Sequence, residues 1–160
     1  MSHYIVSESL AGEIGSQFLT PPDSAKQTKW GKRWDTEAVI EDIVFNVDAE
    51  NPLVEKLRVV LRVPSDAMSN QGRGFSEFFN FHWDAVEADS PSNLVMRTKI
   101  SYSSLCALVN VLGLMDGPVS PGDVAERTEE LQGRKISCQV TVGPDKTGTP
   151  RQSIAMWKAA

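Results

Sequence analysis

Residues 73–84 read RGFSEFFNFHWD, and five of the nine residues at positions 75–83 are aromatic in a chain that is 8% aromatic overall. Read with a period of two, the odd positions are Phe75, Glu77, Phe79, Phe81 and Trp83; the even ones are Ser76, Phe78, Asn80 and His82. Side chains alternate across a strand, so the greasier odd set belongs to the core and Phe78 is left outside among polar neighbours. A β-bulge here would switch the register and expose Phe79 or Phe81 instead. An outward ring needs a cover, such as another part of the chain, or a ligand.

On the N-terminal side, VEKLRVVLRVP (residues 54–64) alternates cleanly. Leu57, Val59, Leu61 and Val63 point one way and Lys56, Arg58 and Arg62 the other, with Pro64 as a stop. SDAMSNQGRG then reads as a loop. An earlier strand is expected from Glu37, with Val39, Ile43, Phe45 and Val47 on one face and Asp42, Asn46 and Asp48 on the other. The turn-like DAENP ends it.

On the C-terminal side, beyond the loop VEADSPSN, the period becomes helical. Leu105, Leu108, Val109 and Leu112 predict a helix over residues 104–112, with serines before it as caps and Gly113 as its stop. Ser120, Pro121 and Gly133 mark the N-cap, the first position and the end of a second. Two strands follow: RKISCQVTV, with Ile136, Cys138, Val140 and Val142 on one face, and RQSIAMWK, joined by the Gly- and Pro-rich hairpin loop GPDKTGTP. The expected class is therefore mainly β. Five strands with a helical insertion between the third and fourth is the order of a Greek-key OB-fold barrel, whose closure removes exposed edges. Residues 37–160 form that domain, and residues 1–36 are expected to be an irregular arm.

The 160-residue chain suits one domain with a core of its own. No run approaches the ~20 apolar residues of a membrane span, and MSHYIVSESLAGEIG lacks a signal peptide's basic flank and apolar block. Cys106 and Cys138 sit singly in apolar runs, as reduced core thiols do, so a cytoplasmic location is expected.

The sharpest string match is a decoy. DKTGT at residues 145–149 resembles the phosphorylated aspartate motif of P-type pumps, but those need membrane helices and a nucleotide domain. A tight hairpin loop is the expected reading. His3, His82, Cys106 and Cys138 have no metal-ligand spacing, neither histidine lies in a nucleophile context, and NQGRG lacks the full phosphate-loop pattern. Neither an enzyme nor a metal or cofactor is expected.

Nucleic-acid binding fits better. A sequence-tolerant single-strand binder needs cations for phosphates and rings on which bases stack. Residues 26–34, KQTKWGKRW, hold four cations, two tryptophans and no acid. They supply Trp30, Lys32, Arg33 and Trp34, although either tryptophan would equally anchor the arm by packing. The polar face of the second strand supplies Lys56, Arg58 and Arg62; the third strand and its approach supply Arg73 and Phe78; the last hairpin supplies Lys146 and Arg151. A net charge of −5 argues against bulk electrostatic wrapping but leaves local strips free to act, because salt screens charges beyond ~10 Å.

From roughly residue 40 to 157 the chain resembles phage-encoded OB-fold single-stranded DNA-binding proteins associated with recombination. The blocks that carry the likeness are LRVVLRV, FSEFFNF, SSLCALVNVLGL and ELQGRKISCQVTV. Its most telling phrase is a helix ending in LGL, a short second helix, and then Leu131, Gly133, Arg134 and Ile136. The resemblance implies non-catalytic, sequence-independent single-strand DNA binding in phage replication or recombination, within the host cytoplasm. A phage recombinase or replication protein would be a further partner, and self-association is left open. The chain closes on RQSIAMWKAA without the acidic tail of many such proteins, so recruitment through one is not expected. The alternative is an accessory module that uses the same barrel to bind a recombinase or a host defence factor, a reading the acidic balance favours.

Overall fold

One long strand organises the molecule. The computed structural model describes residues 18–64, 70–88, 93–114 and 120–159. The first 17 residues of the expected arm (His3 included) and parts of two expected loops, residues 65–69 and 89–92, lie outside them. A short β1 (Lys26–Thr28) turns into β2 (Gly31–Val47), followed by β3 (Val54–Arg62) and β4 (Gly74–His82). Among the described residues four helices come next: α1 (Trp83–Glu87), α2 (Asn93–Val111), α3 (Pro121–Glu126) and α4 (Thr128–Leu131). The strands β5 (Lys135–Pro144) and β6 (Pro150–Ala159) close the order. All pairs are antiparallel, in the sheet order β4-β3-β2-β5-β6 with β1 added on β2.

The fold is thus mainly β, with its helical insertion between β4 and β5 as expected, but among the described residues the sheet has six strands rather than five. The arm's boundary also moves. Residues 26–28 and 31–36 are strand, because the N-terminal half of β2 (residues 32–39) pairs with β5 while the C-terminal half pairs with β3. A strand bonded along both edges is held by hydrogen bonds that local composition does not advertise.

β2 also breaks its own period. Trp34, Ala38 and Ile40 are buried, but after them the buried residue is Ile43. Ile40 faces Leu61 and Asp42 faces Val60, so Glu41 is one extra residue, and this bulge moves the inward set from even to odd positions. The expectation that Val39 shares a face with Ile43 is corrected: half-buried Val39 lies opposite Ala38 and Ile40.

β3 and β4 follow the pattern read from their residues. Leu57, Val59, Leu61, Phe75, Phe79 and Phe81 are fully buried, and the β3–β4 register runs unbroken from Val54 opposite His82 to Arg62 opposite Gly74. Trp83 is half-buried as the first residue of α1 rather than the end of the strand; it stacks on Phe81 (ring centroids 5.2 Å apart) and donates Nε1–H to Glu55.

α2 begins eleven residues before the expected start at 104, so Ser101, Ser103 and Ser104 lie inside it rather than capping it. Ser120, Pro121 and Gly133 predict one helix; there are two, α3 and α4, and Ser120 is the N-cap residue of the first without a side-chain capping bond. Cys138 is buried, and burial pushes its thiol up to about 12; Cys106 is only half-buried.

The two ends of the sheet, β4 and β6, approach each other. Phe79 and Trp157 stack with centroids 6.4 Å apart, and the Ile154 amide donates to the Glu77 carboxylate at 2.8 Å. Among the described residues no backbone ladder joins the two strands. Instead α2 covers the β4 edge, where its Ser101 and Thr98 hydroxyls accept the Asn80 and His82 amides.

Candidate nucleic-acid interface

The outer face of the sheet carries an aligned row. Cross-strand pairing places Val44 of β2 beside Arg58 of β3, and Arg58 beside Phe78 of β4. The next row is Asn46, Lys56 and Asn80. Neither row holds an acid. The Arg58 guanidinium carbon lies 5.5 Å from the Phe78 ring centroid, and its Nε donates to Ser76 Oγ at 2.9 Å. Phe78 itself is 54% exposed, an unusual state for a phenylalanine in mid-strand. Parity explains it: Phe75, Phe79 and Phe81 take the inner face, and Phe78 is out of phase with them.

A second ring stands at the β1–β2 turn. Trp30 is 59% exposed, with Lys29 Nζ 4.4 Å and the Arg33 guanidinium 5.7 Å from its ring. Arg33 is oriented by a bond from Nε to Thr141 Oγ1 at 3.0 Å. Gly31 makes the turn possible. Its φ is +130°, and a Cβ there would lie 2.3 Å from the Val142 carbonyl oxygen, so only glycine lets β2 approach β5 this closely.

The remaining candidates divide. Lys32, Lys56 and Lys146 are exposed. Trp34 is not a stacking residue, because it is only 8% exposed and belongs to the core. Arg62 is already engaged: its Nε and Nη2 bind the two oxygens of Glu41, and its Nη1 donates to the Gly72 carbonyl. The bulge that inserts Glu41 places that acid across from Arg62, which composition did not reveal. Arg73 ties the arm down through Thr20 Oγ1 (2.8 Å) and the Phe18 carbonyl (3.4 Å). Arg151 pairs with Asp145 at 3.0 Å. The DKTGT loop is a hairpin turn, with Asp145 accepting from the Thr147 and Thr149 amides; the Thr147 hydroxyl and Arg151 hold its carboxyl well below the usual range.

One titrating group lies beside the row. Glu77 points inward between Phe75 and Phe79, accepting from the Phe78 and Ile154 amides, and burial raises its carboxyl to about 7. Sequence parity assigned Glu77 to the inner face but could not see β6 opposite it. Reading by period also missed Lys99, Ile100 and Met156, which line a cleft beside Phe78. Among the described residues no group of three or more His, Cys, Asp or Glu is placed to hold a metal ion, and no helix is long and apolar enough to cross a membrane. No protein-family model matches the chain, and no curated protein matches it.

Proposed function

We propose that the chain is a non-catalytic, sequence-tolerant single-stranded DNA-binding protein of the OB type, as its resemblance to phage recombination-associated binders implies. The observation that carries this is Phe78: an exposed ring in the middle of a strand, beside Arg58, in rows free of acid. Stacking on such a ring is worth ~1–3 kcal/mol per base and tolerates any base, while neighbouring cations follow the phosphates. The strand order supports an OB-type reading, with β2 shared between β3 and β5, and the Glu77–Ile154 hydrogen bond and the Phe79–Trp157 stack bring β4 and β6 near each other. Fluorescence anisotropy of a labelled oligonucleotide, single-stranded and then duplex, at low and high salt, tests the reading. Preference for the single strand that weakens with salt is the expected result. Equal affinity for duplex, or no binding at low salt, transfers the proposal to the protein-partner alternative.

A further inference from the structure

The outer rows end at β4, and a cleft of about 580 Å³ lies between β4, α2 and β6. Around it stand Phe78, Ile100 (61% exposed) and Met156 (51% exposed). This much large apolar surface around one concavity marks a binding groove rather than scattered surface residues.

Two observations decide the kind of occupant. An extended peptide adding to a sheet edge draws its affinity from unpaired main-chain groups. Here the amides of Phe78, Asn80, His82 and Ile154 are already taken, by Glu77, Ser101, Thr98 and Glu77 respectively. A flat ring needs only apolar walls and polar groups at its margin, and Ser103 and Ser153 place hydroxyl-bearing residues on the lining. The charge points the same way. α2 carries Arg97 and Lys99 and no acid, and Lys99 lines the cleft. The lining's acid, Glu77, holds its carboxyl against the β-strand amides. On the single-strand reading, the occupant that brings a planar ring and a negative charge together is a nucleotide unit.

We infer that the cleft between β4, α2 and β6 takes one unpaired nucleobase adjacent to the base on Phe78, with the intervening phosphate on Lys99. This rests on the single-strand reading and adds a second subsite to it, on a helix. The cleft shares Ser153 and Ala155 with a neighbouring one lined by Trp30, Arg33 and Arg151, so a strand leaving it passes toward the second exposed ring.

Two measurements with a thymidine oligonucleotide test the subsite. The double variant Lys99→Glu with Ile100→Glu, both exposed on α2, should lose at least tenfold in affinity while its melting temperature stays that of the parent. Photocrosslinking of the unmodified chain to an oligonucleotide bearing 5-iodouracil, mapped by mass spectrometry, should label the α2 or β6 residues of the cleft; it does not depend on how the variant folds. Parental affinity in the double variant, or crosslinks confined to β3 and the β1–β2 turn, overturns the subsite while Phe78→Ala still weakens binding and the broader reading stands. Failure of the unmodified chain to bind the oligonucleotide removes both.

Discussion

Two adjacent phenylalanines face opposite environments. Phe78 is half in solvent and Phe79 is 1% exposed. Phe79→Ala should therefore cost ~3–5 kcal/mol of stability, as large-to-small core changes do, which chemical denaturation will measure. Phe78→Ala should leave the melt unchanged and weaken single-strand binding by ~1–3 kcal/mol. A large fall in melting temperature with binding intact would return Phe78 to a packing role. Glu77, the residue before it, makes the fold sensitive to pH. Its carboxyl is raised from 4.5 to about 7, chiefly by burial, so between those values the native state holds more of its proton than the unfolded chain does. Stability from this group is full below pH 4.5, falls as pH rises toward 7 by up to about 1.4 kcal/mol per unit, and is flat above. Denaturant melts from pH 4.5 to 8.5 should show that decline, and Glu77→Gln should remove it.

At the level of elements, the β2 bulge separates two arginines that look alike in the alternation of β3. Arg58 faces Phe78, whereas Arg62 is paired with Glu41. Arg62→Ala should change stability by no more than about 1 kcal/mol, since both partners are over a third exposed, and should leave oligonucleotide affinity near the parental value. Arg58→Ala should lower affinity severalfold in the same titration. Equal losses from both would mean that Arg62 leaves Glu41 to meet a phosphate. Gly31 is the other sensitive point. Gly31→Ala, with its Cβ against the Val142 carbonyl, should destabilise by more than the ~1 kcal/mol typical of a glycine's conformational advantage and shift the fluorescence of Trp30. The early start of α2 has a related cause. Met96 and Ile100 lie on its exposed side and blur the apolar stripe that marks the helix further along, at Leu105, Leu108 and Val109.

For the whole molecule the proposed function requires a chain of net charge −5 to hold a polyanion. Six of its 16 cations are grouped: Lys56 and Arg58 in the acid-free rows across β2, β3 and β4, and Lys26, Lys29, Lys32 and Arg33 in the acid-free residues 26–34. Contact with phosphates releases counterions, and about three neutralised phosphates give a slope of log affinity against log salt of roughly −2, from ~0.7 per phosphate on single strands. A salt titration reads that slope directly. A slope near zero with undiminished affinity would mean that stacking alone holds the strand. Duplex should bind more weakly, because its stacked bases cannot reach Phe78.

The sequence by itself determined the β class, the inner and outer faces of β3 and β4, the place of the helical insertion and the exposure of Phe78. Each of these follows from side-chain parity or a change of period within a few neighbouring residues. Tertiary structure alone decided the rest, because it depends on pairs far apart in the chain. Trp34 became core once β2 paired with β5 as well as β3; Arg62 was claimed by Glu41 across a bulge; Glu77 met the Ile154 amide 77 residues away. The cleft beside Phe78 belongs to the same class. Its walls come from β4, α2 and β6, and only packing brings Phe78, Ile100 and Met156 around one space.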